Sequence, residues 1–476
     1  MTTPVTAAHE LVERALGLSR ADGCIVIADE ESTANLRWAG NALTTNGATR
    51  SRRLTVIATV DGGHGAAAGV VSRQAVTTDQ VESLVRAAES AARDTGPAED
   101  AKPLVAPGTS AQGPQSLRSA STGFSDDPAE TSIAVFADFA PALGEALARS
   151  RQGGRLLYGF ARHEMTSTYL GTSSGLRLRH DQPTGAVELN AKATDLGSAW
   201  DGAATRDFRD IDPRAMEQQL AGRLEWGRRQ VELPAGRYET LLPPSAVGDL
   251  MVYLYWSADG RDAAEGRTVF SGPGGGTRVG ERLSPIPVTL RSDPAEPGLQ
   301  TAPFVIAHTS QDGASAFDNG LPLAATDWIR DGELAHLITT RHSADLAGLD
   351  VRPAIDNLVM TGADPVAAPT LDQMVADTRR GLLLTCLWYI REVDPTTLLL
   401  TGLTRDGVYL VEDGAVVAAV NNFRFNESPV DLLGRLTDVG PTQRCLPREI
   451  GDYFTRTAMP AIRVPDVNMS SVSKAS

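Results

Sequence analysis

At 476 residues the chain is longer than one ordinary domain, and two large lobes are the expectation. Hydrophobic residues make up 42% and charged residues 22%, a balance that excludes a disordered chain. A net charge of −15 repels a phosphate backbone, which excludes general nucleic-acid binding.

The opening MTTPVTAAHELVERALG has no basic stretch leading into an apolar one, so no signal peptide is expected. Within it Ala8, Leu11, Val12, Ala15 and Leu16 share one helical face. Three strand-like runs follow, CIVIADEES, NLRWAGNAL and RRLTVIATV, and Asp61-Gly62-Gly63 turns the third into GAAAGVVSR. The next helix is predicted with Asp79 as its N-cap, Glu82 three residues on, and Val81, Leu84, Val85 and Ala88 as its buried stripe. Residues 95–131 are rich in Pro, Gly, Ser and Ala and read as a surface excursion across the lobe. Ile133, Phe136, Phe139, Leu143 and Leu147 then predict a helix that Gly153-Gly154 stops. Arg155 to Asp195 reads as an antiparallel meander with Ser173-Ser174-Gly175 at a turn, and Asp212-Pro213 opens a helix to about Arg229.

A second lobe is expected over 231–476, after a first lobe over 1–230. Its pieces are a strand in RYETLLP, an apolar helix after Ser245, a Gly-rich turn SGPGGGT, and short strands as far as Met360. Thr370 and Gln373 form a capping box, and Asp413-Gly414 signals a hairpin. Elements in blocks rather than strict alternation predict an α+β fold: helices on an antiparallel sheet in the first lobe, a β-rich second lobe with helices. No solenoid period is present. Cys24, Cys386 and Cys445 lie far apart without CxxC spacing, which argues against a disulfide framework and fits a reducing cytoplasm. The apolar runs Leu250 to Trp256 and Gly381 to Ile390 fall well short of the ~20 residues of a membrane span.

Candidate chemistry is sparse. His163-Glu164 imitates the start of a zinc motif, but the position one helical turn on is Ser167, and in a strand residues i and i+4 lie ~13 Å apart. His336 and His342 would need a carboxylate or thiolate from elsewhere to bind metal. SGPGGGT lacks the Lys-Ser/Thr ending of a phosphate loop, and GTSSG sits at a turn with no nucleophile elbow. No catalytic residue is assigned.

Two long stretches, FDNGLPLAATDWIRDGELAHLITTRHSAD (Phe317 to Asp345) and TRDGVYLVEDGAVVAAVNNFRFNESPVDLL (Thr404 to Leu433), resemble the carboxy-terminal half of the TldD/TldE (PmbA) metalloprotease family. In that family's zinc-bearing TldD kind, a preceding helix carries His-Glu-x-x-x-His, and a Cys near the carboxy terminus supplies a third ligand. Aligned on Gly248, the helix positions are here Val252, Tyr253 and Ser257, while Cys445 stands near the place of the thiolate. The chain therefore resembles the TldE kind, and no metal site is assigned to it. The resemblance implies a two-lobed subunit that pairs with a zinc-bearing TldD-like paralogue and cleaves unfolded or extended peptides only in that complex, in the cytoplasm. VVAAVNNFRF could offer a strand edge to substrate, with Asn421 and Asn422 as contacting amides, although Asn pairs also form turns. The alternatives are a stand-alone peptide-binding or regulatory protein and a hydrolase with an unrecognised site. The run Val252 to Trp256 is expected to be packed rather than open.

Overall fold

The computed structural model describes residues 6–62, 65–108, 120–193, 197–311, 313–364 and 367–473. Helix α1 (Ala8–Leu18) leads into strands β1 (Gly23–Ala39), β2 (Ala42–Gly62) and β3 (Gly65–Gln74), then helices α2 (Val81–Asp94) and α3 (Phe139–Gln152). Strands β4 (Arg155–Thr172), β5 (Arg177–Ala193) and β6 (Gly197–Thr205) precede helix α4 (Pro213–Trp226). The strands form one antiparallel sheet in the order β3-β2-β1-β4-β5-β6.

Period-two alternation sorts the side chains of this sheet. Val26, Ala28, Leu54, Val56 and Ala58 pack under α1 and α2. Ala34, Leu36, Trp38, Leu157 and Val187 continue the same face under α3 and α4. Ile25, Ile27, Ile57, Leu170 and Leu178 point the other way, onto Phe304 and Ala316 of the second half of the chain. Helix α2 approaches so closely at β3 that a Cβ on Gly69 would stand 2.2 Å from both Ala88 O and Ala92 N.

Several local expectations need correction. The three strand-like runs are two strands, because Gly40-Asn41 inside the second run is a tight hairpin turn with φ of 57° and 65°. Asn41 tolerates that backbone and is buried, its carboxamide accepting from Leu157 N and donating to Arg155 O, each at 2.7 Å. Asp79 is not the cap of α2. Thr77 and Gln80 form a capping box around a short 3-10 turn, and the α-helix follows from Val81. The helix expected from Ile133 also begins later. Pro141 has no N–H for the preceding turn, so Ile133–Phe136 is a 3-10 turn and Ile133 is exposed. In the excursion over 95–131, residues 109–119 lie outside the described residues, while Val105, Ala120 and Thr131 are buried rather than at the surface. The Asp61-Gly62 turn brings Gly62 opposite Gly65, and Gly63 lies outside the described residues.

Beyond α4 the chain builds a six-stranded and a ten-stranded sheet. In the larger one, Ile462–Val472 lies between Phe423–Glu427 and Gly236–Leu242. The box at Thr370 caps Leu371–Ala376, Asp413-Gly414 is a positive-φ hairpin turn, and SGPGGGT closes by a Gly272 N to Gly276 O bond of 2.8 Å. Helices and largely antiparallel sheets in separate blocks make the fold α+β in two lobes, as the sequence predicted. No helix among the described residues is long and apolar enough to cross a membrane.

Candidate functional site

Helix α5 (Pro244–Trp256) carries Val252 and Tyr253, with Ser257 as its C-cap, the positions that the resemblance sets against the metal ligands of the TldD kind. Pro244 suits its first turn, where the missing N–H has no helical partner, and the helix ends at Ser257. Its sequence is apolar almost all round, and it runs through the largest core of the molecule.

One face meets Cys445. A Cβ on Gly248 would lie 3.7 Å from its Sγ, so position 445 stands one helical turn from Val252. Val252 is fully buried. Tyr253 donates its hydroxyl to Ile390 O at 2.9 Å, and Ser257 Oγ donates back to Tyr253 O at 3.0 Å. The Cys445 thiol is buried against Thr457 Oγ1 at 3.3 Å, and burial pushes its pKa up to about 12. A zinc ion needs deprotonated or lone-pair donors, and these four groups offer an isopropyl group, a phenol and a hydroxyl already donating, and a thiol held neutral. They do not fit the metal. Among the described residues no three His, Cys, Asp or Glu side chains converge as a ligand set. The packing expected for the run Val252 to Trp256 holds for its first four residues, but Trp256 is 45% exposed, because the helix ends there at a cleft.

Asp249, one residue after Gly248, is the feature the sequence reading overlooked. It is fully buried and accepts three backbone N–H groups: Glu449 at 2.8 Å, Arg448 at 3.2 Å and Ile450 at 3.4 Å. Burial still dominates and pushes its carboxyl up to about 8. The turn it holds presents Arg448, whose guanidinium lies 4.0 Å from the Trp388 ring centre and 5.2 Å from that of Trp200. The same group pairs with Glu188 of β5 at 2.9 Å, and Glu188 also accepts from Trp200 Nε1 at 2.8 Å. Helix α5 is thereby tied to the first-lobe sheet. The signal was present: Asp249 is the one charged residue in PSAVGDLMVYLYW, and a charge inside so apolar a helix needs buried partners.

At the exposed end of α5 lies a cleft of about 920 Å³, floored by Tyr255, Trp256, Tyr453 and Phe454. Its five carboxylates are already engaged: Glu99 with Arg261, Asp262 with Arg267, Asp356 with Arg456, Asp100 with the Ser315 hydroxyl and Asp259 with Asp262 N. His342 lines the cleft with its Nε2 4.0 Å from Glu99, whereas His336 is turned away, its Nδ1 2.8 Å from Asp327 O. His163 is a buried sheet-face residue between Thr131 Oγ1 and Arg206 O, each at 2.7 Å. Ser173 accepts from Cys24 N and Ser174 donates to Val105 O, which commits both hydroxyls of GTSSG to structure. Asn421 lies at the end of Ala415–Val420, where its Oδ1 accepts from Leu233 N at 2.7 Å. Asn422 O accepts from Ser473 N at 2.8 Å.

Residues 235–471 match the family model described as the PmbA/TldA metallopeptidase C-terminal domain. The chain belongs to the TldD/TldE (PmbA) family. TldE from Thermococcus kodakarensis is similar in structure at a TM-score of 0.77 and 16% identity, over 97% of this chain and 99% of that one. Two suggested modulators of DNA gyrase share the fold at 16% identity. The one from Bacteroides thetaiotaomicron VPI-5482 has a TM-score of 0.75 and covers 98% of both chains. The one from Thermotoga maritima MSB8 has a TM-score of 0.72, over 96% of this chain and 99% of that one. No curated protein matches the chain.

Proposed function

We propose that this chain is the zinc-free subunit of a TldD/TldE-type heteromeric metallopeptidase that trims unfolded peptides, with the metal held by a zinc-bearing paralogue. The observation that carries the reading is the filled face of α5: Val252, Tyr253, Ser257 and Cys445, which the resemblance sets at the ligand places, are already buried or hydrogen-bonded. Such a subunit would close the substrate chamber and supply walls rather than hydrolytic chemistry. A stand-alone peptide-binding or regulatory role is the second reading, supported by the aromatic-floored cleft that this chain forms alone.

The isolated chain is expected to bind no stoichiometric zinc and to cleave no peptide. Co-expression with the zinc-bearing paralogue should yield one species on size exclusion, with peptidase activity lost on chelation. Zinc near one equivalent together with cleavage by the isolated chain would overturn the reading. Two chains that never co-elute would favour the stand-alone role, and cleavage by the isolated chain that survives chelation would favour an autonomous hydrolase.

A further inference from the structure

In a chain of net charge −15, one hollow carries the opposite sign. It has a volume of about 690 Å³ and is walled by Arg237, Arg278, Arg282 and Arg435, with Glu427 and Asp431 as the lining carboxylates. Two carboxylates do not balance four guanidinium groups. Glu427 is already engaged, accepting from Arg435 Nη2 and from Asn468 N. Arg278 donates to Glu281 at 2.7 Å.

Arg237 and Arg282 differ from these. Arg237 Nη1 donates to Asp466 O at 2.8 Å, and Arg282 Nη1 donates to Asp331 O at 3.0 Å. Among the described residues neither forms a direct ion pair: backbone carbonyls steer both groups, and Arg237 feels Glu427 only at longer range, where Arg435 already holds that carboxylate. Guanidinium groups gathered this way repel one another, and an anion placed among them relieves the repulsion. The planar fork of each group matches carboxylate and phosphate oxygens bidentately. Tethering the forks beforehand lowers the ordering cost of binding. The volume falls within the ~300–1,000 Å³ of ligand pockets, larger than one small anion requires.

We propose that this hollow binds an oxyanion ligand carrying two or more carboxylate or phosphate groups, with Arg237 and Arg282 as its charged contacts. No residue of α5 lines it, so the site does not rest on the reading of that helix as metal-free.

Isothermal titration of the full chain with citrate, inorganic pyrophosphate and triglutamate tests this. At least one should bind with one-to-one stoichiometry and weaken as salt is raised, while trilysine should not bind. Citrate or triglutamate alone identifies carboxylate chemistry, and pyrophosphate alone identifies phosphate. Arg237→Gln and Arg282→Gln should each weaken binding about tenfold or more, and Arg282→Lys should also weaken it, because the charge stays and the fork is lost. Arg209→Gln, an exposed first-lobe position that does not line the hollow, should bind as the unaltered chain does. No binding of any of the three anions at millimolar concentration, or equal binding by the Arg237→Gln/Arg282→Gln chain, would overturn the site. If that double variant does not fold, the single variants and the salt dependence decide.

Discussion

Asp249 anchors α5 through three backbone donors that have no other acceptor in that turn. Each buried donor left unsatisfied costs about 1–3 kcal/mol, so Asp249→Ala should lower stability by roughly 3 kcal/mol or more. Asp249→Asn keeps one carbonyl acceptor and should cost less, since burial already biases the carboxyl toward its neutral form. Denaturant titration of both variants checks the order, and an Ala variant as stable as the Asn variant would refute the anchoring role. Two histidines set a pH dependence. Burial holds His163 and His180 below the usual imidazole range, so the folded chain keeps them neutral. Unfolded imidazoles titrate near pH ~6.5, and below that the unfolded state takes up more protons. Their contribution is therefore complete above pH ~6.5 and is lost as pH falls through the depressed folded values. Asp249, whose carboxyl is pushed up to about 8, works in the opposite sense, so the histidine share is read as a difference: the melting midpoint at about pH 5 relative to that at about pH 7 should be higher in His163→Gln than in the unaltered chain. An unchanged slope in the variant would remove His163 from the account.

At the scale of elements, α5 fills with packing the face on which the resemblance sets ligands. Val252→His, Tyr253→Glu and Ser257→His together would place two imidazoles and a carboxylate into a filled face and remove the Tyr253 bond to Ile390 O. Without groups to orient them, these ligands should not assemble a working site. The triple variant should lose several kcal/mol of stability and gain no chelator-sensitive cleavage. A folded triple variant that binds zinc and cuts peptides alone would show a silenced active site instead. Long amphipathic elements were legible in the sequence: the stripes of α1 and α2, the meander of β4 and β5, and the cap at Asp212, which accepts from Arg214 N and Ala215 N. Boundaries were less so. Gly40-Asn41 was hidden because apolar residues flank it on both sides, and only the positive φ at both positions reveals the turn. The packing of Val252 to Tyr255 was readable from residue identity. The link from Asp249 to Arg448 was not, because it joins residues about 200 positions apart through backbone donors that carry no sequence signature.

Across the whole molecule, Arg448 joins the two lobes, lying near Trp200 on one side and Trp388 on the other while pairing with Glu188. Arg448→Ala should cost roughly 3–5 kcal/mol, because it leaves the largely buried Glu188 without its cation. Arg448→Lys should recover less than half of that, since an ammonium cannot reproduce the stacked plane. Calorimetry should show the Ala variant melting earlier, with the transitions of the two lobes drawn apart; a single unshifted transition would mean the lobes cohere without this residue. Chain order adds a consequence of its own. The strand pairing of the first-lobe sheet needs no residue beyond Thr205, whereas Ile462–Val472 belongs in the interior of the ten-stranded sheet. On the ribosome, the first sheet can complete its pairing while Gly236–Leu242 and Phe423–Glu427 still wait with bare edges for the strand that separates them. The interval before that strand emerges is when this protein is most exposed to mispairing, and when a chaperone would matter most.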